Sequence, residues 1–230
     1  MPPGQAIHIH PTAPLAERVL LPGDPGRALA LAQALLQAPL MFNHNRGLWG
    51  YTGTAPDGEP LTIQATGMGG PSAAIVLSEL IALGARRAIR VGTCGALATE
   101  LALGELLIAR EAICADGTSK ALGAGERVNA DAGLVDALVR QAPSAQVGAV
   151  VSVDLFYGGD ERSAHGAALA VEMEAAALFA IGAAAGVPVA CVLAVSDTFD
   201  ARGARTRIAS ETLADAAERM GRAAIAALSD

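Results

Sequence analysis

The segment VEMEAAALF sets two carboxylates, Glu172 and Glu174, one Met apart at the mouth of an apolar run. From Ala175 to Val195, twenty-one consecutive residues carry no charge, so both acids stand where desolvation is costly and each needs a partner. Four other short segments combine polar residues with turn-forming ones. PGDPGR (22–27) offers flexible backbone N–H groups with Arg27 close behind. Such a turn can cradle an anion, although an ordinary strand-to-helix turn with a surface Arg has the same composition. RVGTCGA (90–96) places Arg90 inside an apolar strand, with Thr93 in a glycine-flanked turn. A buried Arg must be paired, either by a bound anion or by a structural ion pair. SVDLFYGG (152–159) and AVSDTFD (194–200) also follow strand-like runs, and all four segments are expected to converge on one edge of a sheet. No GxxxxGK[ST] occurs, and no GxGxxG with an acid at the right distance, so neither a nucleoside-triphosphate loop nor a dinucleotide site is supported.

Strand-like runs alternate with helical patterns along the chain, the mark of a sheet with helices on its faces. The pattern predicts a strand at 17–21, a turn at PGDPG and a helix over 27–37. Segments 47–54 and 60–67 flank the Asp57–Gly58 turn as a hairpin. A helix over 71–85 leads to a strand over 87–92 that ends in the turn GTCGA. A strand near 105–114, a polar loop, a helix over 131–142, a strand over 146–154 and a long closing amphipathic helix complete the reading. The uncharged run reads as helix, turn and buried strand, because Gly186 and Pro188 interrupt any membrane span. With 230 residues, 52% of them hydrophobic, and no separating linker, the expectation is one α/β domain over 1–230. The net charge of −7 argues against general affinity for nucleic acid or anionic membrane. Three scattered cysteines, Cys94, Cys114 and Cys191, suggest neither a disulfide framework nor a zinc site. With no secretory pattern at the N-terminus, a cytoplasmic setting is expected.

Seven motifs occur in order across nearly the whole chain: PGDPxR, NxRGxxGYTG as NHNRGLWGYTG, GMGGPS, RVGTCGA, DLFY, VEMEAAALF and VSD. Together they resemble the nucleoside phosphorylase-I family, and within it the hexameric bacterial purine nucleoside phosphorylases. The resemblance implies a single-domain three-layer αβα sandwich with a central mixed β-sheet. It implies an enzyme that uses inorganic phosphate to displace the base of a purine nucleoside, giving base and pentose 1-phosphate, with no metal or organic cofactor.

The resemblance also distributes roles. Gly23, Arg27, Arg90, Val91, Gly92 and Thr93 match the phosphate cradle, with Arg46 contributed by a neighbouring subunit. Glu174 matches the carboxylate that holds the ribose 2′- and 3′-hydroxyls, Met173 lines the sugar, and Glu172 lies in the segment facing the nucleoside. Phe156 offers an apolar face to the base. His8 matches a residue lent to the neighbour's 5′-hydroxyl, with His10 as a competitor. Ser196 and Asp197 meet the base, and Asp197 acts as general acid at N7, which requires it to hold its proton in a desolvated site. Sites shared in this way imply dimers, and the resemblance implies three of them in a homohexamer.

Two departures from the family pattern stand out. Uridine phosphorylases share the phosphate site, but they read the pyrimidine with an insertion. Only thirteen residues, Gly158 to Ala170, separate Tyr157 from Val171 here, too few for it. The Arg that assists the acid in relatives falls near Ser210 by spacing. Arg207 is the preferred substitute here, with Arg205 and Arg202 close by. Methylthioadenosine/S-adenosylhomocysteine nucleosidases, a third reading on this fold, use water and need no cradle lined by Arg27, Arg46 and Arg90.

Overall fold

In the computed structural model residues 6–157, 168–200 and 203–230 are described. Strand β1 (Arg18–Leu21), buried throughout, runs into helix α1 (Pro25–Leu35). Asp24 sets the start of that helix: its carboxylate accepts the N–H groups of Gly26 at 2.6 Å and Arg27 at 3.3 Å, and Pro25 fits the first turn. The helix therefore begins before Arg27 and stops at Leu35. Strand β2 (Gln37–Asn43), absent from the sequence reading, follows at the sheet edge. Strands β3 (Gly50–Thr54) and β4 (Pro60–Gln64) form the expected antiparallel hairpin, and α2 (Gly70–Leu83) follows.

Strand β5 (Arg87–Ala96) is longer than predicted. The segment GTCGA is strand rather than turn, with Thr93 paired to Ala194 and Cys94 to Val195. Its glycines serve close approach instead of chain reversal: a Cβ on Gly92 would lie 2.7 Å from the Arg90 guanidinium carbon, and one on Gly95 3.2 Å from the Phe199 ring. After β6 (Leu106–Cys114), the segment read as a polar loop contains helix α3 (Gly117–Ala121), capped by Asp116, and strand β7 (Arg127–Asn129). Helix α4 (Ala132–Gln141) and strand β8 (Gln146–Ser152) fall where expected. Strand β9 (Ala168–Glu172), another unpredicted element, delivers Glu172 and Glu174 to the start of α5 (Ala175–Ala185).

The uncharged run is, as read, helix α5, a left-handed turn at Gly186, and strand β10 (Val189–Phe199), buried from Val189 to Asp197. No described helix is long and apolar enough to cross a membrane. Strand β11 (Arg205–Arg207) occupies the start of what reads in sequence as the closing helix, which begins only at Ser210 as α6 (Ser210–Ser229).

Among the described residues all eleven strands join one mixed sheet in which α2, α3 and α5 pack together, as do α1, α4 and α6. Pairing of β10 with β5 as well as β6 closes β5, β10, β6, β8 and β9 into a ring. Strand β6 is antiparallel to β10 but parallel to β8, so β8 runs against β5 and β10. The polar segments thus gather at the mouth of a ring built from strands of both directions, not along one carboxyl edge of an open sheet.

Away from that mouth, Arg18 ties the C-terminal helix to the β3–β4 turn. It donates to Asp57 at 2.5 and 3.0 Å, to the Pro60 carbonyl and to Ser229. The hydrogen bond from Arg18 holds the Asp57 carboxyl well below its usual range, against the opposing effect of burial, and Ser229 adds to the lowering. A depressed carboxyl stabilises the fold above its unfolded value, and the benefit is lost as pH falls through the folded one. Asp57→Asn should therefore cost about 2 kcal/mol in urea denaturation near neutral pH. The gap should hold from pH 8 to 5 and narrow below about pH 4. A gap that widened in acid would exclude this sign.

Candidate active site

Arg90 stands at the centre of the mouth, 3% exposed, between Glu172 and Glu174. Its Nε donates to Glu172 Oε2 at 3.1 Å and its Nη2 to Glu174 Oε2. Burial alone would lower the guanidinium pKa, but Glu174 and Glu172 together more than offset it and raise the value above the ordinary one. Arg90 Nη1 is buried without a hydrogen-bond partner among the described residues, and it lies 3.9 Å from where a Gly23 Cβ would be. A buried guanidinium nitrogen in this state calls for an oxygen.

Glu172 is fully enclosed. Its oxygens take the N–H groups of Glu174 at 2.9 Å and Ala175 at 3.0 Å, the Ser152 hydroxyl, and Arg90. Burial raises its pKa, and Arg90 pulls the other way. With both oxygens bonded within the protein, Glu172 is turned toward Arg90 and the start of α5, in the segment that the resemblance sets against the nucleoside. Glu174 takes the Gly69 N–H at 2.6 Å on its other oxygen, and Met173 is partly buried against Val151, Val153 and Ala168. The Val91 side chain is core, so only its backbone is available to a ligand, and Gly92 lies beneath the Arg90 guanidinium.

Arg27 belongs to the same cluster. Burial lowers its pKa, Asp24 opposes this, and the positive charges of Arg90 and Arg207 lower it further. Arg27, Arg90 and Arg207 thus interact across the mouth, an arrangement that an anion would relieve.

The acid end is built by a register shift. Val195 pairs with Cys94 and Asp197 with Gly95, leaving Ser196 as a bulge; its hydroxyl sits 2.6 Å from Asp197 Oδ2 and 3.2 Å from the Cys94 carbonyl. Strand β11 pairs Asp197 with Arg207, whose Nη1 is 3.5 Å from Asp197 Oδ1, while Arg205 Nε is 3.7 Å away. Arg205 also lies over the Phe156 ring at 4.5 Å and the Phe199 ring at 5.5 Å. Arg202 lies outside the described residues.

His8 and Arg46 share a different patch. The ring Nδ1 of His8 is 2.7 Å from Glu79 Oε1, and Glu79 also accepts the backbone N–H groups of His8 and Ile9. Asn45 donates to the His8 carbonyl at 2.8 Å, which fixes the arm beside the turn that bears exposed Arg46. The His10 ring bonds to the Ile7 carbonyl, and its N–H donates to Asn43 Oδ1 at 2.9 Å.

The phosphorylase superfamily pattern matches residues 17–229. The chain belongs to the phosphorylase superfamily. Among proteins similar to it is the purine nucleoside phosphorylase DeoD-type of Clostridium beijerinckii, 38% identical over 206 residues, 84% of this chain and 86% of the relative. Those of Geobacillus kaustophilus and Alkaliphilus metalliredigens are each 37% identical over 203 residues, 84% of this chain and 86% and 87% of the relatives.

Other residues of this superfamily member escaped the sequence reading. Ser152 and the Gly69 N–H complete the carboxylate shell; both lie inside quoted motifs, SVDLFYGG and GMGGPS, but neither had been given a role. Glu79 was legible in part as the one acid of an apolar helix, and Phe199 as the residue two beyond Asp197 in a strand.

Replacing Glu172 by Gln should cost about 2–4 kcal/mol in chemical denaturation, because a buried guanidinium loses a charged partner and the start of α5 loses acceptor strength. A loss within about 0.5 kcal/mol, the size of an ordinary surface substitution, would show that Glu172 does not hold Arg90 in place.

Proposed function

We propose that this chain is a purine-nucleoside phosphorylase, a pentosyltransferase that interconverts purine (deoxy)nucleoside plus phosphate with free base plus (deoxy)ribose 1-phosphate. The observation that carries the reading is Arg90 Nη1, buried, unpartnered among the described residues and turned toward Gly23. The names of the relatives, each a purine nucleoside phosphorylase, support it independently.

Phosphate would sit between Gly23, Arg27, Arg90 and Thr93, with Arg46 of a second copy closing the cradle. A phosphate oxygen attacks C1′ as the bond from C1′ to N9 breaks, and the bonding pair leaves with the base. The guanidinium groups position a weak nucleophile and hold its charge as it transfers. Glu174 grips the ribose hydroxyls, where its anion favours positive character at the anomeric centre, and Glu172 acts behind it by holding Arg90 and the start of α5. Asp197 delivers a proton to N7, Arg207 balances the carboxylate left behind, and Ser196 fixes the carboxyl orientation. Phe156 offers its ring to the base. No metal or organic cofactor enters these steps.

We also read the working unit as a dimer within a homohexamer, in the cytoplasm and serving purine salvage. The arm that carries His8, the turn that carries Arg46 and the adjoining strand β2 also bear exposed Ile7, Leu40, Met41 and Trp49, apolar residues that a second copy would cover.

The deciding assay offers inosine, adenosine, uridine and methylthioadenosine, each with and without phosphate. Phosphate-dependent release of purine is expected, and Asp197→Ala should reduce it by about a hundredfold or more. Purine release without phosphate would indicate a hydrolase, uracil release a pyrimidine enzyme, and an active Asp197→Ala would remove that acid.

Site sharing has a sharper consequence. Arg46→Ala and Asp197→Ala should each be impaired alone, whereas co-expression should restore about a quarter of the sites, since a mixed dimer holds one intact site. No recovery in a verified mixed dimer would overturn sharing.

A further inference from the structure

Asp197, Phe199, Arg205 and Arg207 stand on one face of the β10–β11 pair, because Asp197 pairs with Arg207, Phe199 with Arg205, and residues two apart in a strand share a face. The proton transfer proposed above uses Asp197 and Arg207. Arg205 has no part in it, yet it is the more tightly placed of the two arginines: 34% of its side chain is exposed against 62% for Arg207. Its guanidinium carbon lies 4.5 Å from the Phe156 centroid and 5.5 Å from that of Phe199, and its Nε lies 3.7 Å from Asp197 Oδ1. Two rings and a carboxylate leave an arginine few orientations. They hold its guanidinium at the junction between the aromatic rings and the acid.

We propose that Arg205 selects the substituent at purine position 6, favouring 6-oxopurine nucleosides over 6-aminopurine ones; this rests on the phosphorolysis reading. A guanidinium has donors and no acceptor. Along the edge that carries N7, a 6-oxopurine presents two acceptors, N7 and O6, whereas a 6-aminopurine presents one acceptor and an amino donor. With the Asp197 proton directed at N7, the next group along that edge is the one at position 6. There Arg205 meets O6 donor to acceptor, but meets an amino group donor to donor, a mismatch that leaves both groups without a partner in the complex. The preference should also grow along the reaction. The base departs with extra electron density, and in a 6-oxopurine O6 shares it, so a hydrogen bond from Arg205 strengthens as the C1′ to N9 bond breaks. Stacking on Phe156 contributes no such choice, since either base offers the same flat face.

The test compares kcat/KM for inosine and adenosine at saturating phosphate in the wild type, Arg205→Met and Arg205→Lys, with titration of hypoxanthine and adenine as a binding readout. The wild type should favour inosine by about tenfold or more. Arg205→Met should bring the ratio toward one through loss on inosine, and Arg205→Lys should keep part of it. Hypoxanthine affinity should fall more than adenine affinity in Arg205→Met. Equal use of the two nucleosides by the wild type, or a proportional loss on both in Arg205→Met, would overturn the selection while leaving phosphorolysis intact. Absence of phosphate-dependent cleavage of every purine nucleoside would overturn both readings. Should Arg205→Met not fold, the wild-type ratio and the Lys variant decide.

Discussion

One buried guanidinium between two buried carboxylates is the interaction on which the mouth of this molecule depends. Arg90 comes from β5, Glu172 from the end of β9, and Glu174 from the first turn of α5, so the three charges join two strands and a helix at one point. None of the three could be buried alone, because an isolated charge in that position would cost far more than a domain's margin of stability. Together they remain one negative charge in excess. That excess is met by the N–H groups at the start of α5, which Glu172 collects, and by the Gly69 N–H, which Glu174 collects. The result is a charged cluster satisfied everywhere except at Arg90 Nη1. A structural ion pair and the proposed anion site are thus compatible accounts of the same arginine: two of its nitrogens hold the carboxylates, and the third has no partner among the described residues.

The surrounding fold makes room for this cluster by omission. The Arg90 guanidinium passes over Gly92 at a distance that a methyl group would forbid, and the Phe199 ring passes over Gly95 in the same way. Closure of five strands into a ring keeps both sides of β5 hydrogen-bonded while these bare patches face inward. The bulge at Ser196 then shifts β10 by one residue against β5, and without it the side chains beyond would alternate to the other face. One extra residue therefore decides that Asp197 and Phe199 look into the mouth.

Much of this was legible in the sequence where chemistry and pattern coincide. A lone Arg in an apolar strand and two acids before an uncharged run announced that charges would be paired in the interior, and the alternation of runs announced most strands and every described α-helix but the short α3. The failures have physical reasons. GTCGA read as a turn because glycine permits both reversal and close approach, and only the identity of the overlying group distinguishes them. Strands β2, β9 and β11 were missed because they are short or edge-lying, and their pairing is fixed by partners distant in sequence. The role of Glu172 was ambiguous for a similar reason, since Ser152 and the α5 amides that enclose it belong to no shared local motif.

At the acid end it is a strand, not the closing helix, that sets cations beside Asp197. The closing helix α6 begins at Ser210 and carries no cation in its first turn. Here β11 intervenes, and a paired strand has a property that a helix reached through a loop lacks: its register fixes side-chain separation. Opposite residues on one face of an antiparallel pair are within about 5.5 Å at Cβ, so pairing Asp197 with Arg207 guarantees their encounter without any closing motion. The same register brings Arg205 opposite Phe199, and from there to the Phe156 ring. A short strand with the sequence Arg-Thr-Arg supplies two cations on one face by period alone, with Thr206 turned away between them. Placement at this end of the site thus comes from strand register, which sets one arginine against the acid and the other between the acid and the rings.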